Sequence, residues 1–244
     1  MQTYNRKIVF GMGNQLSPLS KKMLILYTCV YVVELFSEHW LHIPIVSFLW
    51  FDPFGHFGAW QIFSHPFIHD PKSPIAFLID LLVLYFFLNP VERAIGSKRF
   101  LILFYISAIG GVIVGFLLSW LAGFTMPFMG MTPSLLSIIV VFGLLNPEAT
   151  VLFMFVLPIK AKYISYGTVV VTLLTYIAKA NTSGGYHLGG MLFGYLYLNY
   201  LKWGSLTGWI MMRYSEWSIR RKRTRFRVID GEKNKNGNDR PTIH

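Results

Sequence analysis

The sequence predicts an all-α integral membrane protein, a bundle of six membrane-spanning helices with an interfacial first external loop. Three observations carry that expectation. Of 244 residues, 54% are hydrophobic and only 14% charged, and the mean hydropathy is +0.48, more apolar surface than a soluble chain of this length hides. The apolar residues gather into six runs separated by turn and charge signals. The basic residues then sort between alternate connections: with a cytoplasmic N-terminus, 20 of the 22 lysines and arginines fall inside, leaving only Lys72 and Lys179 outside.

Taken in order, the chain opens with a cytoplasmic segment, residues 1–22, carrying Arg6, Lys7, Lys21 and Lys22. No apolar core precedes Lys22 and no small-residue cleavage site follows the first run, so the first span is expected to be retained. The spans are expected at about 23–42, 74–88, 100–121, 133–145, 163–178 and 186–200, within one membrane domain, 23–204, that no linker divides. Cys29 lies in the first run, so no intrachain disulfide is available, and its expected role is packing. Between the first two spans, some thirty residues through Asp70 are neither polar loop nor full span. Trp40, Trp50 and Trp60 suit the membrane interface, where an aromatic body stays apolar and its edge stays wet. His39, His42, His56, His65 and His69 are scattered here without the cysteines or paired carboxylates that complete a ligand set, so no metal and no cofactor are expected.

The last part, 205–244, is a basic cytoplasmic tail with ten lysines and arginines, among them Arg220, Arg221, Lys222 and Arg223. A basic segment directly after a last span is a topology determinant that also contacts anionic lipids; nucleic acid is not an expected partner. Beyond Asp230 the composition is that of a disordered end. Both termini are therefore placed in the cytoplasm, and the lack of a targeting segment favours a bacterial inner membrane.

Polar groups inside a bilayer are costly, so each is a functional candidate. Residues 133–145 give about 20 Å of helix at 1.5 Å per residue, against about 30 Å of hydrocarbon. This fourth helix is too short to span, which places Thr132 roughly 10 Å below the outer surface. The uncharged stretch 122–130 must dip to reach it. His187, at the head of about 22 Å of helix, falls at a similar depth. Asp80 lies near mid-bilayer on the second span, where a carboxylate needs a partner; His187, a hydroxyl or cavity water are the candidates. Gly111 with Gly115, and Gly190 with Gly194, are small-xxx-small spacings that let helices approach closely.

These features resemble the rhomboid family of intramembrane serine proteases over about 22–200. The matching residues are Trp60 before Phe67-Ile68-His69, Pro90-Val91-Glu92-Arg93 with Gly96-Ser97 and Arg99-Phe100, and the helix start at Gly130. Asn146-Pro147, Pro158-Ile159-Lys160-Ala161-Lys162, and His187 with Gly190 and Gly194 complete the set. The resemblance implies a six-helix core open outward, no cofactor, transmembrane segments of other proteins as partners, and a Ser-His dyad between the fourth and sixth helices. It puts the family serine on Thr132 and the following glycine on Pro133, the catalytic histidine on His187, and the oxyanion histidine and asparagine on Ala76 and Asp80. Four of those five positions depart from the family pattern.

The departures alter the chemistry. Thr132 has a hydroxyl for His187 to activate, but its extra methyl restricts the rotamer and crowds an attacked carbonyl. Pro133 has no N–H and Ala76 donates nothing, while an ionised Asp80 repels an oxyanion. Loss of one oxyanion donor typically costs about 2.7–4 kcal/mol. For Thr132-Pro133 the sequence leaves three readings. It is a helix start with threonine at N-cap and proline at the first position; or Asp80 orients His187 against Thr132 as in a triad; or Ser134, about 200° around the helix, takes over as nucleophile. The leading expectation is a catalytically impaired or inactive rhomboid-like protein that binds transmembrane segments. Its rival is an active intramembrane endopeptidase using Thr132 and His187, and a small transporter is a remoter third.

Overall fold

A computed structural model of the chain describes residues 9–10, 16–55, 57–123, 127–153, 157–179, 182–204, 211, 213–214 and 217. The sequence expectations for Arg6, Lys7, His56 and nearly all of the basic tail lie outside the described residues. Six long helices dominate: α1 (Pro18–Phe36), α4 (Pro74–Ile95), α5 (Ser97–Ala122), α6 (Thr132–Leu145), α7 (Ala161–Lys179) and α8 (Thr182–Trp203). Two short helices, α2 (Ile45–Leu49) and α3 (Gln61–Ser64), sit in the loop between α1 and α4. By length and composition Pro74–Ile95, Ser97–Leu121 and Ala161–Ala178 are able to cross a membrane, and α6 is a shorter apolar helix.

Helix boundaries follow local chemistry that hydropathy alone does not register. α1 begins five residues before the expected span, because Ser17 Oγ caps it by accepting the Ser20 N–H at 2.9 Å and Pro18 supplies a preset first turn. Its last turn widens into a π-helix, Ser37–Leu41, closed by His42 at φ 53°. α4 runs past the expected end at Leu88, through Pro90 to Ile95. Gly96, at φ +88°, then turns the chain directly into α5. At this junction the buried Glu92 carboxylate accepts from Ser97 Oγ at 2.6 Å, from Ser20 Oγ at 3.3 Å and from Ser17 Oγ, tying the starts of α1 and α5 to the end of α4.

A three-stranded sheet was not foreseen. β1 (Val9–Phe10) pairs in parallel with β2 (Thr150–Phe153), which pairs antiparallel with β3 (Leu157–Lys160) in the register Thr150↔Lys160. Strands of two to four residues are too short for alternation to be read. The exposed Glu148 clasps the base of the hairpin through Lys160 Nζ at 2.6 Å and Lys162 Nζ at 2.5 Å. Hydrogen bonds from those two lysines pull its carboxyl down to about 2.

The core lies where α1, α4, α5 and α6 meet, around Tyr27, Leu84, Phe100, Phe104, Met131 and Leu135. α7 instead turns Val170, Val171, Leu174 and Ile177 outward. Apolar faces of that kind suit lipid, and the molecule is an integral membrane protein.

Candidate functional site

The site is built around the start of α6. The chain reaches it through an irregular loop, and irregular backbone at membrane depth needs its polar groups satisfied within the protein. Phe51 and Phe128 exchange backbone hydrogen bonds at 2.9 and 2.8 Å, pinning this loop to the one between α1 and α4. Gly130 is held from both sides: its N–H donates to the His65 carbonyl at 2.9 Å, and its carbonyl accepts the Tyr186 hydroxyl of α8 at 3.1 Å. At φ +94° this is a conformation that favours glycine.

Thr132 is not the N-cap that its sequence context suggests. Met131 occupies that position, Thr132 is the first helical residue, and no side chain caps the helix. With Thr132 already inside the first helical turn, its hydroxyl is free to reach across to α4: Thr132 Oγ1 donates to Asp80 Oδ2 at 3.0 Å. Asp80 therefore takes a hydroxyl as partner, and the His187 ring is not bonded to it. Among the described residues His187 makes no hydrogen bond, and no lysine, arginine or histidine nitrogen lies within 4 Å of the Asp80 carboxylate. Ala76 lies exposed one turn before Asp80 on α4. Ser134 Oγ is fully buried and donates to the Phe104 carbonyl at 2.7 Å, so its proton bridges α6 to α5.

α8 is seated against α6 by its glycines. A Cβ at Gly190 would lie 2.5 Å from Pro133 Cβ, and one at Gly194 would overlap Ser137 Oγ. The two helices thus run parallel in register. His187, one turn before Gly190 on the same stripe, comes level with the residues that lead into α6. It is half-buried, with its ring centroid 6.0 Å from that of Tyr186. On α5, a Cβ at Gly111 would meet the Tyr186 carbonyl at 2.7 Å and one at Gly115 would meet Phe128 at 2.7 Å. That close approach holds Tyr186 and Phe128 against α5.

Sequence reasoning missed Tyr186, Phe51 and His65. Tyr186 had a readable signal, because a tyrosine hydroxyl inside an apolar helix needs an acceptor. His65 had less: its ring bonds the Gln61 carbonyl at 2.9 Å, and burial pulls it down to about 4. It is the His65 backbone carbonyl, invisible in side-chain patterns, that holds Gly130.

Thr132, Asp80 and His187 are all half-buried, whereas Met131, Pro133 and Ser134 beside them are buried. The candidate site is drawn from these three partly exposed polar residues. Its chemistry combines a hydroxyl committed to a carboxylate with an imidazole that has no protein partner among the described residues. No curated protein matches the chain. The Rhomboid domain family model matches residues 56–204, from the interhelical loop to the end of α8 and across Asp80, Thr132 and His187, and the chain belongs to the rhomboid family.

Proposed function

We propose that this rhomboid protein holds transmembrane segments of other membrane proteins without hydrolysing them. The observation that carries the reading is the Thr132–Asp80 hydrogen bond at 3.0 Å. A serine-type mechanism needs the nucleophile's proton delivered to the imidazole base. Here that proton is directed to a carboxylate on a different helix. The same carboxylate stands where a neutral donor is needed for the oxyanion, and Pro133 and Ala76 supply no donor either. In this reading the six long helices are the six spans of one membrane domain, 23–204. Trp40, Trp50 and Trp60 lie in an interfacial loop, and both termini are on the cytoplasmic side of a bacterial inner membrane. The tail, 205–244, meets anionic lipid.

The level of His187, one turn from the Gly190–Pro133 contact, favours the rival reading of an active endopeptidase. One experiment separates the two. The purified protein is incubated with a transmembrane reporter substrate beside Thr132→Ala and His187→Ala variants. No cleavage by the unaltered protein, with reporter retained on co-purification, is the expected result. Cleavage that both substitutions abolish refutes the proposal.

A further inference from the structure

We propose that Asp80 is a receptor for a basic side chain, lysine or arginine, carried within the membrane-embedded part of the bound protein. This rests on the reading of the site as a holder of transmembrane segments and names the chemistry of what it holds. The six long helices contain three carboxylates among the described residues, Glu34, Asp80 and Glu92. Two are sealed and supplied. Glu34 is 1% exposed and receives the His69 N–H at 3.2 Å on both oxygens. Glu92 is 5% exposed and collects hydroxyls from Ser17, Ser20 and Ser97.

Asp80 differs from both in exposure and from Glu92 in supply. It is half-buried, and its one hydrogen bond from the described residues is that of Thr132 to Oδ2. A carboxylate offers about four lone-pair sites, so most of its accepting capacity is unused. No cationic nitrogen lies within 4 Å among the described residues, whereas the exposed Glu148 has two. A carboxylate withdrawn from water gains most from an opposite charge, and more in a low-dielectric site than at a surface.

Depth selects the source of that charge. Asp80 is six residues inside α4, roughly 9 Å below its outer end at 1.5 Å per residue. An amine on a lipid headgroup stays at the surface, whereas a lysine or arginine on a transmembrane segment is carried to this level. Ala76, on the same face one turn above, presents only a methyl. A long aliphatic stem can lie along it with its charged head on Asp80.

The test uses the full-length protein in lipid vesicles with single-span leucine–alanine reporter helices, their association read by energy transfer. One reporter is all apolar, and others carry a single Lys, Gln or Glu at successive depths. Lys at the level of Asp80 is expected to associate roughly tenfold more strongly than the apolar reporter, about one charge-assisted contact. The preference should fade when Lys moves two turns deeper. Asp80→Asn, which still accepts the Thr132 hydroxyl, should bring the Lys-to-apolar ratio to one, and Asp80→Glu should keep it above one. Thermal unfolding reports whether each variant is folded. A ratio of one in the unaltered protein overturns the proposal, as does a preference that survives Asp80→Asn; the latter also marks a headgroup or surface charge as the source. Failure of every reporter to bind overturns the holder reading itself. Cleavage, followed on gels of the same samples, overturns only its non-hydrolytic part.

Discussion

Gly190→Ala adds one methyl group at the contact that seats α8 on α6. The added Cβ would stand 2.5 Å from Pro133 Cβ, 2.6 Å from its carbonyl oxygen and 2.8 Å from its carbonyl carbon. Carbon contacts settle at about 3.5–4.0 Å, so the helices must separate by roughly 1 Å. Backbone and a proline ring cannot swing aside, which puts the cost toward the top of the range of about 1–3 kcal/mol for overpacking. At about 2–4 °C per kcal/mol for a chain of this size, the melting temperature in detergent should fall by roughly 5–10 °C. Tryptophan fluorescence during heating measures it. Two alanine variants calibrate the result. Gly194→Ala meets the Ser137 and Ser107 hydroxyls, which can rotate, and Ser137 Cβ at 2.9 Å, which cannot, so it should cost at least the roughly 1 kcal/mol of their 2.8 Å bond and less than Gly190→Ala. Gly167→Ala has nothing within 4 Å and should gain about 0.4–1 kcal/mol. If Gly190→Ala melts no lower than Gly167→Ala, α8 does not press on Pro133 and the level assigned to His187 loses its support.

Gly130→Ala should destabilise by about 1–2 kcal/mol through backbone conformation alone. At φ +94° the nearest atoms to an added Cβ are 3.8 and 3.9 Å away, so crowding contributes nothing; faster amide exchange at Phe51 and Phe128, beyond the global loss, is the accompanying sign. Glu148 supplies a pH dependence. Its carboxyl is held down to about 2 by Lys160 and Lys162, so its contribution is present above its ordinary value near 4.5 and is lost as pH falls toward 2. The hairpin's own chemical shifts should follow that titration and lose it in Glu148→Gln, and an unchanged titration in the variant would deny the clasp.

The long helices were legible because hydropathy and the sorting of lysine and arginine act over whole segments. Their ends were less so. α4 passes Pro90 and α1 starts at a serine cap, both decided by one or two residues that also serve tertiary bonds to Glu92 and Asn89. The sheet escaped because pairing of Val9 with Thr150 joins residues far apart in sequence. At the site, the need of Asp80 for a partner could be argued from the cost of a lone carboxylate in lipid. Which partner wins depends on the angular placement of α4 against α6, a packing outcome. Ser134 read as free in sequence because its acceptor is a backbone carbonyl of α5, and every residue carries one.

Thr132 and Asp80 are best understood as one unit, and that governs how activity would have to be restored. Removing one partner of a buried hydrogen bond leaves the other unsatisfied, whereas exchanging both together can be nearly neutral. Thr132→Ser alone keeps a hydroxyl at the same place, so the serine inherits the acceptor 3.0 Å away and still directs its proton to α4. Adding Pro133→Gly returns one backbone donor but leaves that competition intact. Asp80→Asn changes the outcome on two counts: the amide is a weaker acceptor than a carboxylate, and its NH2 is a donor able to face an oxyanion. Cleavage of the transmembrane reporter should therefore stay absent in the Thr132→Ser and Pro133→Gly pair and emerge only when Asp80→Asn is added, with Ala76→His raising it further. Activity already full in the pair would mean that Asp80 does not compete for the hydroxyl. Activity that the addition of Asp80→Asn lowers would mean that the carboxylate serves the imidazole after all.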